Sequence, residues 1–197
     1  MKYRFSFTGA SAMIAEFSTL AAKVYEGAEI EDIDDKTLGR EKLETNRREF
    51  RELKHRINTL TPKQIEILSQ GDLDEKKHIT HLALCKTYKI YHDFLVDVIH
   101  QKMQVFDNHL TELDYNSFIS KKKMDHPELE KLAETTQKKV KQVMFRMLEQ
   151  VGIIESVSNS IILMQHLSAQ VETAIIEDDS TWLSCFMYDE QQIKTKK

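Results

Sequence analysis

Glycine and proline are scarce, five and two in 197 residues. Sandwiches, barrels and dinucleotide-binding sheets need many tight turns, so this scarcity argues against all three and favours long helices. Cysteine is equally scarce. Cys85 and Cys185 are far apart in sequence and no secretory signal precedes them. A disulfide framework is therefore not expected, and a reducing cytoplasm is the expected setting. Long apolar runs are missing too. The longest uncharged stretch, between Glu155 and Glu172, is interrupted by Ser, Asn, Gln and His. A membrane-spanning helix needs about 20 mostly apolar residues, so no membrane association is expected.

What is present is an ordinary globular balance of 41% hydrophobic and 30% charged residues. A chain of this length buries roughly 70% of its unfolded surface and folds without staples. The net charge of −4 hides a segregated pattern. Glu26 to Asp35 and Glu172 to Glu190 each hold six acids and no Lys or Arg. Elsewhere 28 basic residues face 20 acidic ones, and the surplus gathers in Arg40 to Lys63 and Lys121 to Arg146. Blocks of one sign create local fields that net charge conceals, although such runs are commonly no more than solvated helix faces.

Tyr3, Phe5 and Phe7 alternate with polar residues, which predicts a short strand over residues 2–7. Met13, Phe17, Leu20 and Val24 then mark a helix that Gly27 stops. The acidic stretch after it reads as a loop with a short helix. Thr45 is the expected cap of a second helix, with Phe50, Leu53, Ile57 and Leu60 inward. Arg47, Arg48, Arg51, Lys54 and Arg56 are expected beside that stripe as a cationic surface. Thr61-Pro62 starts a third helix that Gly71 ends. From Asp72 or Asp74 to about Asp107 the periodicity predicts the central core helix. Apolar spacing lapses near Asn108 to Asp114, which suggests a helical N-terminal lobe over 1–110 and a second lobe over 111–197 with an acidic C-terminal helix, or else one compact globule.

Candidate chemistry is thin. His78, His81 and Cys85 share one helix face and are zinc-ligand types, but no second Cys/His cluster accompanies them, so no metal is expected. No phosphate loop, nucleophile elbow, zinc-protease helix or calcium loop occurs, and neither catalysis nor a cofactor is expected.

The informative segment is Tyr115 to Met164. Tyr115 to Lys123 predicts a helix, Pro127 a second short one with Leu129 and Leu132 inward, and Thr135 or Thr136 the cap of a third. That third helix buries Val140, Val143, Met144, Met147, Leu148 and Val151. Ile153-Ile154-Glu155 and Ile161-Ile162-Leu163, around a Ser/Asn turn, predict a short β-hairpin. Helix, short helix, basic helix and hairpin is the order of a winged helix-turn-helix, whose recognition helix enters the major groove N-terminus first. The expected class is mainly α with at most that hairpin. Thr136, Gln137, Lys138, Lys139, Lys141, Gln142 and Arg146 are the expected DNA-facing residues, with Arg47, Arg48, Arg51 and Lys54 as a competing surface. Amides and hydroxyls read bases, while cations neutralise phosphate. An ordinary three-helix unit with solvated lysines, or a protein-protein module, would give the same pattern.

The chain also resembles the BrxA family, a small component of BREX phage-defence systems. The likeness rests on Phe5-Ser6-Phe7-Thr8-Gly9-Ala10, Leu60-Thr61-Pro62 with Gly71-Asp72-Leu73, and Leu84-Cys85-Lys86 with Tyr88. It continues through His126-Pro127-Glu128-Leu129-Glu130 and Gln142-Val143 with Phe145-Arg146-Met147-Leu148. The resemblance implies a helical, non-enzymatic protein that binds double-stranded DNA beside a methyltransferase, an ATPase and other defence proteins. A protein-protein adaptor that never touches DNA, or an undetected nuclease or nucleotide-dependent enzyme, are the rival functions.

Overall fold

Thr61 and Asp72 each close a capping box, and the two helices they start anchor the first half of the protein. Thr61 Oγ1 accepts from Gln64 N while Gln64 Oε1 accepts from Thr61 N; Asp72 and Glu75 repeat the exchange. Each box satisfies two of the orphan donors at a helix start. The computed structural model describes residues 2–39 and 41–196, so Met1, Arg40 (the first of the basic stretch) and Lys197 lie outside it. In chain order the helices are α1 (Ile14–Tyr25), α2 (Leu43–Ile57), α3 (Pro62–Gln70), α4 (Leu73–Thr87) and α5 (Lys89–Phe94). They continue with α6 (Gln101–Gln104), α7 (Glu112–Lys123), α8 (Glu134–Gln150), α9 (Ala169–Asp179) and α10 (Glu190–Thr195). A π-helical turn, Leu95–His100, joins α5 to α6, and 3₁₀ segments cover Ser6–Gly9, Asp35–Leu38 and Ser180–Phe186.

The protein is mainly helical. Among the described residues, β pairing amounts to two isolated antiparallel bridges, His109 with Ile161 and Ile154 with Ile162. The hairpin expected over 153–163 is thus present only as a bridge, joined on its outer side by the segment before α7. Leu110 N donates to Ser160 O, and Ile162 N donates to Asn108 O. No helix of the described residues is long and apolar enough to cross a membrane.

Several local expectations need correction. Residues 2–7 form no strand, because no neighbouring strand offers a ladder. Tyr3 N donates instead to the Glu128 carboxylate at 2.6 Å, and the chain closes into the 3₁₀ turn at Ser6. Residues 127–131 form turns rather than a helix. Too few residues separate Pro127 from α8 to repay helix nucleation, and Glu128 is held by Tyr3 and His126. Leu129 is nevertheless buried there, as its spacing requires. Helix α2 begins before Thr45, and α8 before Thr135. Their first flanking residues, Lys42 and Ala133, offer no capping side chain, whereas Glu44 and Glu134 place a favourable negative charge in each first turn. The long central region also breaks at Tyr88, whose φ of −121° and ψ of 95° are extended rather than helical.

The largest departure is Arg56. It lies not on the cationic surface but wholly within the core, at 0% exposure. Its position one turn beyond Leu53 puts it at the edge of the buried stripe. The guanidinium donates to the carbonyls of Ala10, Ser11 and Ala12 at 2.7, 2.7 and 3.0 Å, and Nε donates to Tyr88 Oη at 3.1 Å. Tyr88 Oη in turn donates to Glu52 at 2.8 Å, and Glu52 also accepts from Ser6 and Arg4. A buried cation is tolerable only when paired and hydrogen-bonded in this way.

Asp93 forms a second hub. It accepts from Tyr3 Oη at 2.8 Å, Lys89 Nζ at 3.0 Å and His92 Nδ1 at 3.2 Å, with Lys122 Nζ at 3.5 Å. Burial by itself would raise this carboxyl, but bonds from His92, Lys89 and Tyr3 and the Lys122 charge hold it below the usual range. The same bond to Asp93, aided by Cys185, lifts His92 to about 9.

Two measurements follow from these hubs. Arg56→Ala leaves three carbonyls and a tyrosine hydroxyl without their donor, and urea denaturation should record a loss of about 3–5 kcal/mol. Arg56→Lys should restore little of it, since one ammonium cannot reach four acceptors in a fork. An Arg56→Ala protein as stable as the wild type would show the network to be incidental. Asp93 contributes stability that is complete above about pH 4 and lost as pH falls toward its depressed folded value. Asp93→Asn should therefore be less stable at neutral pH, with a shallower loss of stability on acidification.

Candidate nucleic-acid interface

Helix α8 presents two faces because its apolar residues recur at helical spacing. Val140, Met144, Met147 and Leu148 are buried, and Lys138, Lys139, Gln142 and Arg146 are exposed on the other side. Thr136 and Gln137 are half-buried at its start, where Gln137 Nε2 donates to Leu132 O at 2.8 Å and fixes the entry of the chain. Lys138 pairs with Glu134 at 2.6 Å, yet its side chain is 76% exposed. Lys139 Nζ donates to Gln142 Oε1 at 3.4 Å. Lys141 is the least available cation of the set: it pairs with Glu112 across to α7 and sits 5.6 Å from the Tyr115 ring centre. Phe145 turns from solvent toward Phe94 and Tyr115, so it fastens α8 to the central helices. A groove of about 340 Å³ runs between α7 and α8, with Ile119, Leu129, Leu132 and Val140 along its floor.

The α2 surface is sorted by its counter-charges. Arg47 pairs with Asp35 at 3.2 Å and Lys54 with Glu31 at 3.8 Å, so part of the acidic run folds back onto this helix. Arg48 and Arg51 are exposed and carry no ion pair among the described residues. The 3₁₀ turn Ser6–Gly9 packs against both α2 and α8 and separates the two basic helices. Spacing alone could have exposed one counter-charge, since Glu134 and Lys138 are four apart on a helix. Glu112 and Glu31 gave no such signal, because their partners are distant in sequence.

On the histidine face of α4, His81 is engaged by the protein itself. His81 Nε2 faces the Cys185 carbonyl at 3.1 Å and must donate, which leaves Nδ1 to accept from Tyr91 Oη at 3.1 Å. Burial pushes His81 down to about 4, so the ring is neutral. Both nitrogens are occupied, and Cys85 Sγ lies 3.8 Å from Nε2. Among the described residues no group of three or more His, Cys, Asp or Glu side chains is arranged to hold a metal ion.

Comparison with known proteins agrees with the helical architecture. A crystal structure of an uncharacterized protein from Magnetospirillum magneticum superposes with a TM-score of 0.80 at 16% identity, over 95% of this chain and 98% of that one. At that identity the likeness speaks for the fold alone. The BREX protein BrxA of Bacillus cereus (strain H3081.97) is 26% identical over 101 residues, 51% of this chain. The matched part spans about half, 50%, of that relative's length. A sequence model of the BrxA family matches residues 1–179, nearly the whole protein. The chain belongs to the BrxA family.

Proposed function

We propose that this protein is a non-enzymatic, duplex-DNA-binding component of a BREX phage-defence system. In this reading it works in the cytoplasm without a cofactor, beside a methyltransferase, an ATPase and other defence proteins. The defence role follows from the family and from the relative named BREX protein BrxA. One observation carries the DNA-binding part, the order of elements around α8. A bridged segment at His109 precedes α7, the basic helix α8 follows, and the bridged pair Ile154 and Ile162 closes the unit. With the turns over 127–131 in place of the short helix and a bridge in place of the hairpin, the order is that of a reduced winged helix-turn-helix, with α7 crossing the backbone and the first turns of α8 directed at base edges. Lys138, Lys139 and Arg146 then neutralise phosphates, Lys141 does so on release from Glu112, and Gln142, with Thr136 and Gln137 at the start of the helix, reads bases. Arg47, Arg48, Arg51 and Lys54 form the competing surface.

A second reading, the protein-protein adaptor, is favoured by the carboxylates that pair Lys138 and Lys141 and by the apolar floor of the α7–α8 groove.

Titrating duplex binding against salt separates the two. The wild type should lose affinity steeply with salt, and Lys138→Ala with Lys139→Ala should lower the log–log slope by roughly 0.9 per lost phosphate contact. That variant should weaken all sequences about equally and keep its fold, since both side chains are exposed. Gln142→Ala should alter preference among sequences more than it alters the slope. A wild-type protein without duplex affinity would favour the adaptor. Wild-type binding by the lysine variant, with loss in an Arg47/Arg48/Arg51 variant, would overturn docking through α8.

A further inference from the structure

The four α2 cations of the competing surface, Arg47, Arg48, Arg51 and Lys54, are not equivalent, and the structure brings Arg4 and His55 beside them. Arg47 and Lys54 lie against Asp35 and Glu31. Arg48 and Arg51 have no counter-charge among the described residues, and with His55 they fall at i, i+3 and i+7, on one stripe of the helix. The stem of Arg48 lies so close over Gly9 that a β-carbon there would meet its Cδ and Nε at 2.8 Å. Any side chain at residue 9 would displace the arginine. Arg4 reaches the same region from the N-terminal segment, held by Ser6 Oγ at 2.6 Å and Glu52 at 3.1 Å. The His55 ring registers the resulting field: burial, then the Arg4 and Arg51 charges, hold it below the usual imidazole value against the opposing pull of Glu52.

We infer that Arg48 and Arg51, flanked by Arg4 and His55, form a phosphodiester-binding site that grips the backbone of the duplex carried by α8. This rests on the DNA-binding reading above. Unpaired guanidiniums present planar forks suited to phosphate oxygens. Nucleic acid is favoured over an acidic protein by continuity: the Ser6–Gly9 turn under Arg48 also packs against α8, so a single turn of chain lies between the two cationic helices. The site is sequence-independent, because backbone contacts position a duplex without reading it. On this view the α2 surface does not compete with α8 but extends its footprint.

The test is a salt titration of the full chain on several unrelated duplexes, with three paired variants. R48Q/R51Q should lower the log–log slope by about 1.8, two contacts at about 0.9 each, equally on every sequence. R47Q/K54Q changes the same charge on the same helix but removes paired cations, and should move the slope by less than half as much. K138A/K139A should add its own decrement to that of R48Q/R51Q. Should the double arginine variant lose helical circular dichroism, R51Q alone serves, with an expected decrement of about 0.9. A wild-type slope in R48Q/R51Q, while K138A/K139A falls, overturns this site and leaves the α8 reading standing. The reverse pattern overturns α8 docking and upholds this site. Equal losses in R48Q/R51Q and R47Q/K54Q would mean a diffuse field rather than a site, and no duplex binding by the wild type would end both.

Discussion

A positive charge sealed inside the core organises the rest of this molecule. Arg56 leaves α2 and binds three successive carbonyls of residues 10–12, the chain that leads into α1, and the Tyr88 hydroxyl at the break between α4 and α5. Three pieces of chain that share no secondary-structure ladder are thereby fixed to one planar group. The cost of desolvating the guanidinium is offset only if every donor finds an acceptor, so the arrangement tolerates little displacement of any of the three. Glu52 balances the charge through Tyr88 and holds Arg4 and Ser6 on its other side. The extended stretch before α1 therefore has a defined path without belonging to a sheet.

That path matters for the surface. The turn at Ser6–Gly9 is pinned from below by Glu52 and covered from outside by Arg48, and it abuts α8. At the other end of the same segment, Tyr3 stacks on His126 with ring centres 3.7 Å apart and donates to Glu128 and Asp93. The turns that deliver the chain from α7 into α8 are held by the N-terminal segment rather than by a helix of their own. The basic helix is oriented by the core, and Lys138, Lys139, Gln142 and Arg146 stand exposed on its outer side.

Local signals account for what was readable. Thr61-Pro62 with Gln64, Asp72 with Glu75, and the apolar stripes of α1, α2 and α8 are written within a few residues of each other, and the structure follows them. Arg56 was misplaced because a helical wheel puts it at the edge of a stripe, where charge argues for solvent and only partners 44 to 46 residues earlier and 32 residues later argue otherwise. Residues 2–7 misled for a related reason. Alternation reports which side chains are buried, and Tyr3 and Phe7 are, but it does not report whether a second strand is at hand. The exposed residues of α8 follow from periodicity, whereas the tie of Lys141 to Glu112 joins two helices and no spacing rule contains it.

The π-helical turn at Leu95–His100 has a consequence for how this chain tolerates changes in length. Bonds from i to i+5 accommodate one residue more per turn than the α ladder on either side. Leu95 and Ile99 remain buried within it, so the surplus is absorbed while the inward face is kept. Elsewhere in the central helices, removing a residue would rotate every following side chain by about a quarter-turn. Here the loss of one residue can be taken up by reverting to ordinary α geometry, with both flanks still facing as they do now. That turn gives the core a point at which the polypeptide has slack.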